Sequence, residues 1–113
     1  MDRPSRGAIG LKTIFVKDFS EFPGPRSPSI GPNSGEEFRE EILIPAIKQN
    51  GVQELSVNLD GTYGYGSSFL EEAFGGLVRK KVIDRDQASL LIANLVSDED
   101  PSLIEEIKSY MLA

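Results

Sequence analysis

The sequence holds no cysteine and no histidine. The first absence excludes disulfides, thiolate metal ligands and a cysteine nucleophile. The second removes the commonest general base and the commonest metal ligand. A metal would have to rest on carboxylates and carbonyls, which suits only hard cations. Positive charge is also in short supply: twelve Lys and Arg against eighteen Asp and Glu leave a net charge of −6. The basic residues are scattered, with Arg79-Lys80-Lys81 the one short run. Nucleic acid and anionic lipid attract clustered Lys and Arg, so neither is an expected partner. No apolar run is long enough to span a bilayer. Met1-Asp2-Arg3-Pro4-Ser5 lacks the apolar core of a signal peptide, and the expected location is the cytoplasm.

What is present suits one ordinary soluble domain. The chain has 113 residues, 39% hydrophobic and 27% charged, enough to bury a core without staples. Residues 1–10 are polar and small and read as a flexible arm ahead of a domain over 11–113. Residues 11–16 are β-branched and aromatic and read as a strand. The stretch from Glu21 to Pro32 carries four prolines and two glycines, which forbid a regular element; its order is left open.

A helix starts sharply after it. Ser34 and Glu37 have the capping-box spacing, and Phe38, Ile42 and Ala46, with Leu43 and Ile47 beside them, form an apolar stripe. Pro45 should kink the helix or break its hydrogen bonding, and Asn50-Gly51 ends it. Residues 52–59 alternate, with Leu55, Val57 and Leu59 on a core face and Ser56 and Asn58 on the other. After a glycine-rich loop over 60–66, Phe69, Leu70, Ala73, Phe74, Leu77 and Val78 mark a second helix. Gly75-Gly76 in its middle imply close packing against a neighbour. Residues 90–96 read as a buried strand. Asp100-Pro101 then caps a last helix lined by Leu103, Ile104, Ile107, Tyr110 and Met111. Alternation of strand and helix implies an α/β fold, a mixed or mostly parallel sheet with helices packed on it.

The segment from Leu59 to Phe69 runs from a strand end to a helix start, where open α/β sheets place their ligands. Glycines allow close backbone approach, and a helix N-terminus offers free N–H groups. The segment is neither a P-loop nor a dinucleotide fingerprint, and no histidine is available to activate a serine. The plain structural reading is a tight turn with Ser68 and Glu71 in a second capping box.

Residues 57–70 resemble the central segment of STAS domains, the family of bacterial anti-sigma factor antagonists. In that family a strand leads to Asp-Ser-Ser-Gly-Leu at a helix start, and the first serine is phosphorylated by a kinase that is itself the anti-sigma factor. Aligned without gaps, that serine falls on Ser67 and its neighbour on Ser68. Gly66 stands where the antagonists carry the aspartate that helps form their phosphorylation site, and Phe69 where they carry glycine. The chain resembles still more closely the STAS-like domain family of unknown function. The stretches that carry this likeness are Asp18-Phe19-Ser20, Pro23-Gly24-Pro25-Arg26, residues 34–40 and residues 66–77. Members of that family are often encoded beside an ATP-binding protein of the histidine-kinase type.

The resemblance implies a regulatory interaction module, not an enzyme, with a kinase-like protein partner and no cofactor. Its candidate contact residues are Asp60, Tyr63, Tyr65, Gly66, Ser67, Ser68 and Phe69, with Ser67 and Ser68 as candidate phosphorylation sites. The alternative is a small-anion or nucleotide site at the same helix start, with Arg26 and Arg39 as clamps; the plain reading of both arginines is solvated surface. A third reading, an enzyme built on Asp60 with Glu71 or Glu72, has a narrow repertoire without histidine or cysteine. An apolar patch pairing two copies is left open.

Overall fold

The structure, a computed structural model, describes residues 11–113; the arm expected at residues 1–10 lies outside the described residues. The chain runs β1 (Lys12–Phe15), a single turn α1 (Val16–Phe19), then an irregular strap to Asn33. The long helix α2 covers residues 35–50, as Gly35–Glu37, a π-helical stretch Phe38–Leu43 and Ile44–Asn50. A 3₁₀ turn (Val52–Glu54) leads into β2 (Leu55–Asn58). Helix α3 covers residues 67–79, as Ser67–Leu70, a π-helical stretch Glu71–Gly75 and Gly76–Arg79. Then come α4 (Arg85–Ala93), β3 (Leu95–Val96) and α5 (Ser102–Met111).

The three strands form a parallel sheet in the order β1-β2-β3. Lys12 pairs with Leu55 and Phe15 with Asn58, while Val57 pairs with Leu95 and Asn58 with Val96. Parallel strands need crossovers, which the helices supply, and the central strand β2 is buried on both faces, while Thr13 and Phe15 on β1 stay exposed. Ser56, expected on an open face, is accordingly buried, and its hydroxyl donates to the Asn94 carbonyl at 2.9 Å. Helices α2 and α3 pack on each other, and α5 lies along α3 and α4. Phe38 is the centre of the core, its ring 5.2 Å from Phe19, 5.7 Å from Phe69 and 6.4 Å from Phe74.

The capping box at the start of α2 forms in full: the Glu37 N–H donates to Ser34 Oγ and the Ser34 N–H to Glu37 Oε1. Pro45 does not end the helix. The Ile44 N–H reaches back five residues to Arg39, and this widened turn makes room for the proline ring before α2 runs on to Asn50. Gly51 then stops it at φ +79°.

The strand expected over residues 90–96 is corrected. Asp84 and Gln87 form a capping box that launches α4 through Ala93, and only Leu95–Val96 is extended. The run Leu90-Leu91-Ile92 is the end of a helix with one buried side, on which Leu91 is buried and Leu90 exposed. A short apolar run has no periodicity that separates these alternatives. The N-cap of α5 is Pro101, one residue later than expected, and no side chain closes it there; the Asp100 carboxylate just ahead of it accepts from the Ser102 N–H at 3.2 Å. Among the described residues no helix is long and apolar enough to cross a membrane.

Candidate functional site

The site lies at the carboxyl ends of β2 and β3. Past Asn58 the chain is held by reciprocal bonds between two loops. The Asp60 carboxylate accepts from the N–H groups of Asp98 (3.1 Å) and Glu99 (3.0 Å), and Glu99 Oε1 accepts from the Gly61 N–H at 2.8 Å. Gly61, at φ +92°, supplies the turn. The Tyr65 hydroxyl donates to the Leu59 carbonyl at 2.8 Å, and burial holds its pKa well above the ordinary tyrosine value.

The strap left open by the sequence is an ordered part of the site. It follows the loop and both helix starts through backbone bonds: Tyr63 N–H to Glu21 O (2.8 Å), Gly66 N–H to Pro23 O (2.8 Å), Gly35 N–H to Pro25 O (2.9 Å) and Glu36 N–H to Arg26 O (3.0 Å). Phe22 of the strap stacks on Tyr63 of the loop, centroids 4.8 Å apart and planes within 6°. A β-carbon on Gly66 would lie 2.7 Å from the Gly24 carbonyl oxygen. This is the physical reason that no aspartate fits at 66: the strap occupies the place.

Ser67 and Ser68 are exposed in the first turn of α3. Neither caps it; the N-cap is Gly66 and no side chain closes the helix, so the second capping box does not form. Ser67 neighbours the Tyr110 hydroxyl, which donates to Glu106 at 2.6 Å and is thereby held above its ordinary pKa, with Ser67 acting in the opposite sense. Phe69, grouped with these contact residues by sequence, is fully buried and belongs to the core.

Glu71 and Glu72 point instead into a cluster of three arginines. Arg26 Nη1 donates to Glu71 at 2.6 Å and Glu72 at 2.9 Å. Arg39 Nη1 donates to the Glu72 carboxylate at 2.7 Å and its backbone carbonyl at 2.6 Å, while Nε donates to Glu40 at 2.9 Å. Arg79 completes the set on Glu71 at 2.5 Å. Burial pushes both carboxyls up, but the arginine hydrogen bonds outweigh it and leave both below the ordinary glutamate value. Arg39, read as solvated surface, is only 1% exposed. Both candidate clamps are thus engaged by carboxylates. Asp60 bonds to backbone amides of the β3–α5 loop and forms no hydrogen-bonded pair with Glu71 or Glu72.

Sequence reasoning missed Phe22, Arg79, Glu99 and Tyr110 as parts of this region. Glu71 and Arg79 lie two turns apart on one helix, a spacing that offered a signal; the other three meet the site only through tertiary folding. A cleft of about 390 Å³ beside the loop is lined by Asp60, Tyr63, Tyr65, Glu99, Asp100 and Glu106, among others.

A family model described as a STAS-like domain of unknown function (DUF4325) matches residues 34–100, more than half of the chain. The match runs from the N-cap of α2 through the loop that precedes α5 and leaves the strap outside it. No curated protein and no solved structure matches. The parallel sheet, the crossover helices and the matched stretch agree, and the chain belongs to the family of STAS-like domains of unknown function.

Proposed function

We propose that the chain is a non-catalytic regulatory module of the cytoplasm that binds a protein partner carrying a histidine-kinase-type ATP-binding domain, and that phosphorylation of Ser67 switches the interface. The observation that carries this reading is the state of the two serines: exposed in the first turn of α3, with no capping duty. Family membership supports an interaction role. The contact face comprises Tyr63, Tyr65, Gly66, Ser67 and Ser68, with Asp60 shaping the loop behind them.

In the switching step Ser67 Oγ attacks the γ-phosphorus of ATP held by the partner. The bond to the β-phosphate oxygen breaks, ADP leaves, and the hydroxyl proton passes to a base of the partner. The product adds about two negative charges to the first turn of α3. Glu71 and Glu72 oppose this less than their position suggests, because three guanidinium groups neutralise them. The helix N-terminus favours the new charge.

The anion- or nucleotide-binding alternative has less support. Arg26 and Arg39 are already bonded to carboxylates, and the cleft beside the loop is lined by acids. The deciding experiment is intact-mass measurement and site mapping after incubation with ATP and the ATP-binding protein encoded nearest to this chain. Phosphate on Ser67 establishes the modification that the switch requires, and phosphate on Ser68 alone moves it to the neighbouring serine. A stable complex without phosphate retires the switch and keeps the interaction module. Neither phosphate nor complex overturns both.

A further inference from the structure

The Phe22–Tyr63 pair is exposed on the domain surface. The rings stack on one another, yet Phe22 remains 69% and Tyr63 77% exposed. Tyr63 also lines the cleft at the carboxyl ends of β2 and β3, so the apolar rings and the cleft form one continuous surface. Exposed aromatic faces beside a concavity are typical anchors for a protein partner.

Charge narrows the kind of partner. Asp60, Glu99, Asp100 and Glu106 line the cleft, and their hydrogen bonds come from neutral donors: backbone N–H groups, the Ser102 hydroxyl and the Tyr110 hydroxyl. Among the described residues none of the four is ion-paired. The arginine cluster differs in this respect, since its two carboxylates draw on Arg26, Arg39 and Arg79. Lys17 lies beside the loop: its stem is against Gly61, and its ammonium sits 5.8 Å from the Phe15 ring centroid, not on a cleft carboxylate. A metal suits the cleft poorly, because among the described residues no three acidic side chains are grouped to hold one.

An arginine meets both requirements at once. Its guanidinium stacks on an aromatic face with its flat side and donates to carboxylates from its edge, which a lysine ammonium cannot do together. We propose that the Phe22–Tyr63 rings and the adjoining acid-lined cleft form a docking surface for an arginine-bearing segment of the protein partner. This rests on reading the chain as an interaction module, and it names the chemistry of that partner's contact segment. The strap has a direct part in it, because it supplies one of the two rings.

The test titrates the full chain, ¹⁵N-labelled and at low salt, with the peptide acetyl-Gly-Arg-Leu-Arg-Gly-amide and with its lysine counterpart. The expected result is amide shifts confined to Phe22, Tyr63, Gly64, Glu99 and Ser102. The lysine peptide should bind about threefold more weakly or worse. Tyr63→Leu keeps an apolar contact for Phe22 but removes the ring face, and should weaken the arginine peptide by about threefold or more. Glu99→Gln keeps an acceptor for the Gly61 N–H while removing charge, and should lower both affinity and its salt dependence. Equal binding of the two peptides with Tyr63→Leu unaffected would reduce the effect to diffuse charge attraction and overturn the proposal, as would the absence of shifts at millimolar peptide. A partner complex formed and phosphorylated normally by Tyr63→Leu would remove the docking surface and leave the switch standing. Specific peptide binding with no kinase-like partner would do the reverse.

Discussion

Arg39 Nη1 stands in the space that a β-carbon on Gly76 would occupy. The bare backbone of α3 at that residue lets a guanidinium from α2 come up against it, where it reaches both the carboxylate and the carbonyl of Glu72. In an exposed helix Gly→Ala stabilises by about 1 kcal/mol. Here the sign reverses: Gly76→Ala must displace Arg39 or part the two helices, and it should cost about 1–3 kcal/mol. Urea denaturation of the variant measures this directly.

The same cluster sets the acid limb of stability. Glu71 and Glu72 titrate below the ordinary value of 4.5 despite burial that pushes them up, because the arginines donate to them. Glu37 is also low, through its bonds to Ser34. A depressed folded pKa means that the unfolded chain takes the proton first. The stabilisation is complete above the unfolded value and is lost as pH falls through the folded ones. The thermal midpoint should therefore decline on acidification below about pH 4.5. Glu72→Gln should lower the midpoint at neutral pH and make the acid decline shallower. An acid limb as steep as the wild type's would assign it to other carboxyls.

Gly66 ties the sequence to the strap. Its N–H is taken by the Pro23 carbonyl, and Gly24 lies where a side chain would project. Gly66→Ala should push the strap away, destabilise the fold by about 1–3 kcal/mol, and speed amide exchange from Glu21 to Arg26 ahead of the rest of the chain. Hydrogen exchange read residue by residue separates this from a uniform loss of stability.

Features made by neighbours in sequence were legible, and those made by distant residues were not. The Ser34–Glu37 box, the stop at Gly51 and the core positions Leu55, Val57 and Leu59 follow from local spacing and are found as read. Ser68 and Glu71 show the same spacing as Ser34 and Glu37, yet no box forms, since Glu71 is claimed by Arg26 from 45 residues away and by Arg79. The Gly75-Gly76 pair announced close packing but could not say that a guanidinium was the neighbour. Residues 20–33 carry turn residues throughout, so local reading finds no element. Their order comes from backbone bonds to Gly35, Glu36, Tyr63 and Gly66 that exist only once the fold is complete.

Ser67 offers the sharpest separation of structural and functional roles. It is exposed, it caps nothing, and its helix start favours negative charge. Ser67→Ala and Ser67→Glu should both fold, with stability within about 0.5 kcal/mol of wild type or, for the glutamate, slightly above it. Their effects on the partner should diverge. Ser67→Ala should bind like the unmodified protein and accept no phosphate at that position. Ser67→Glu, which carries part of the charge of a phosphate, should weaken the complex by about tenfold. Calorimetric titration of the two variants against the kinase-like partner reads the difference. Equal affinities for both, at unchanged stability, would show that charge at the start of α3 does not govern the interface.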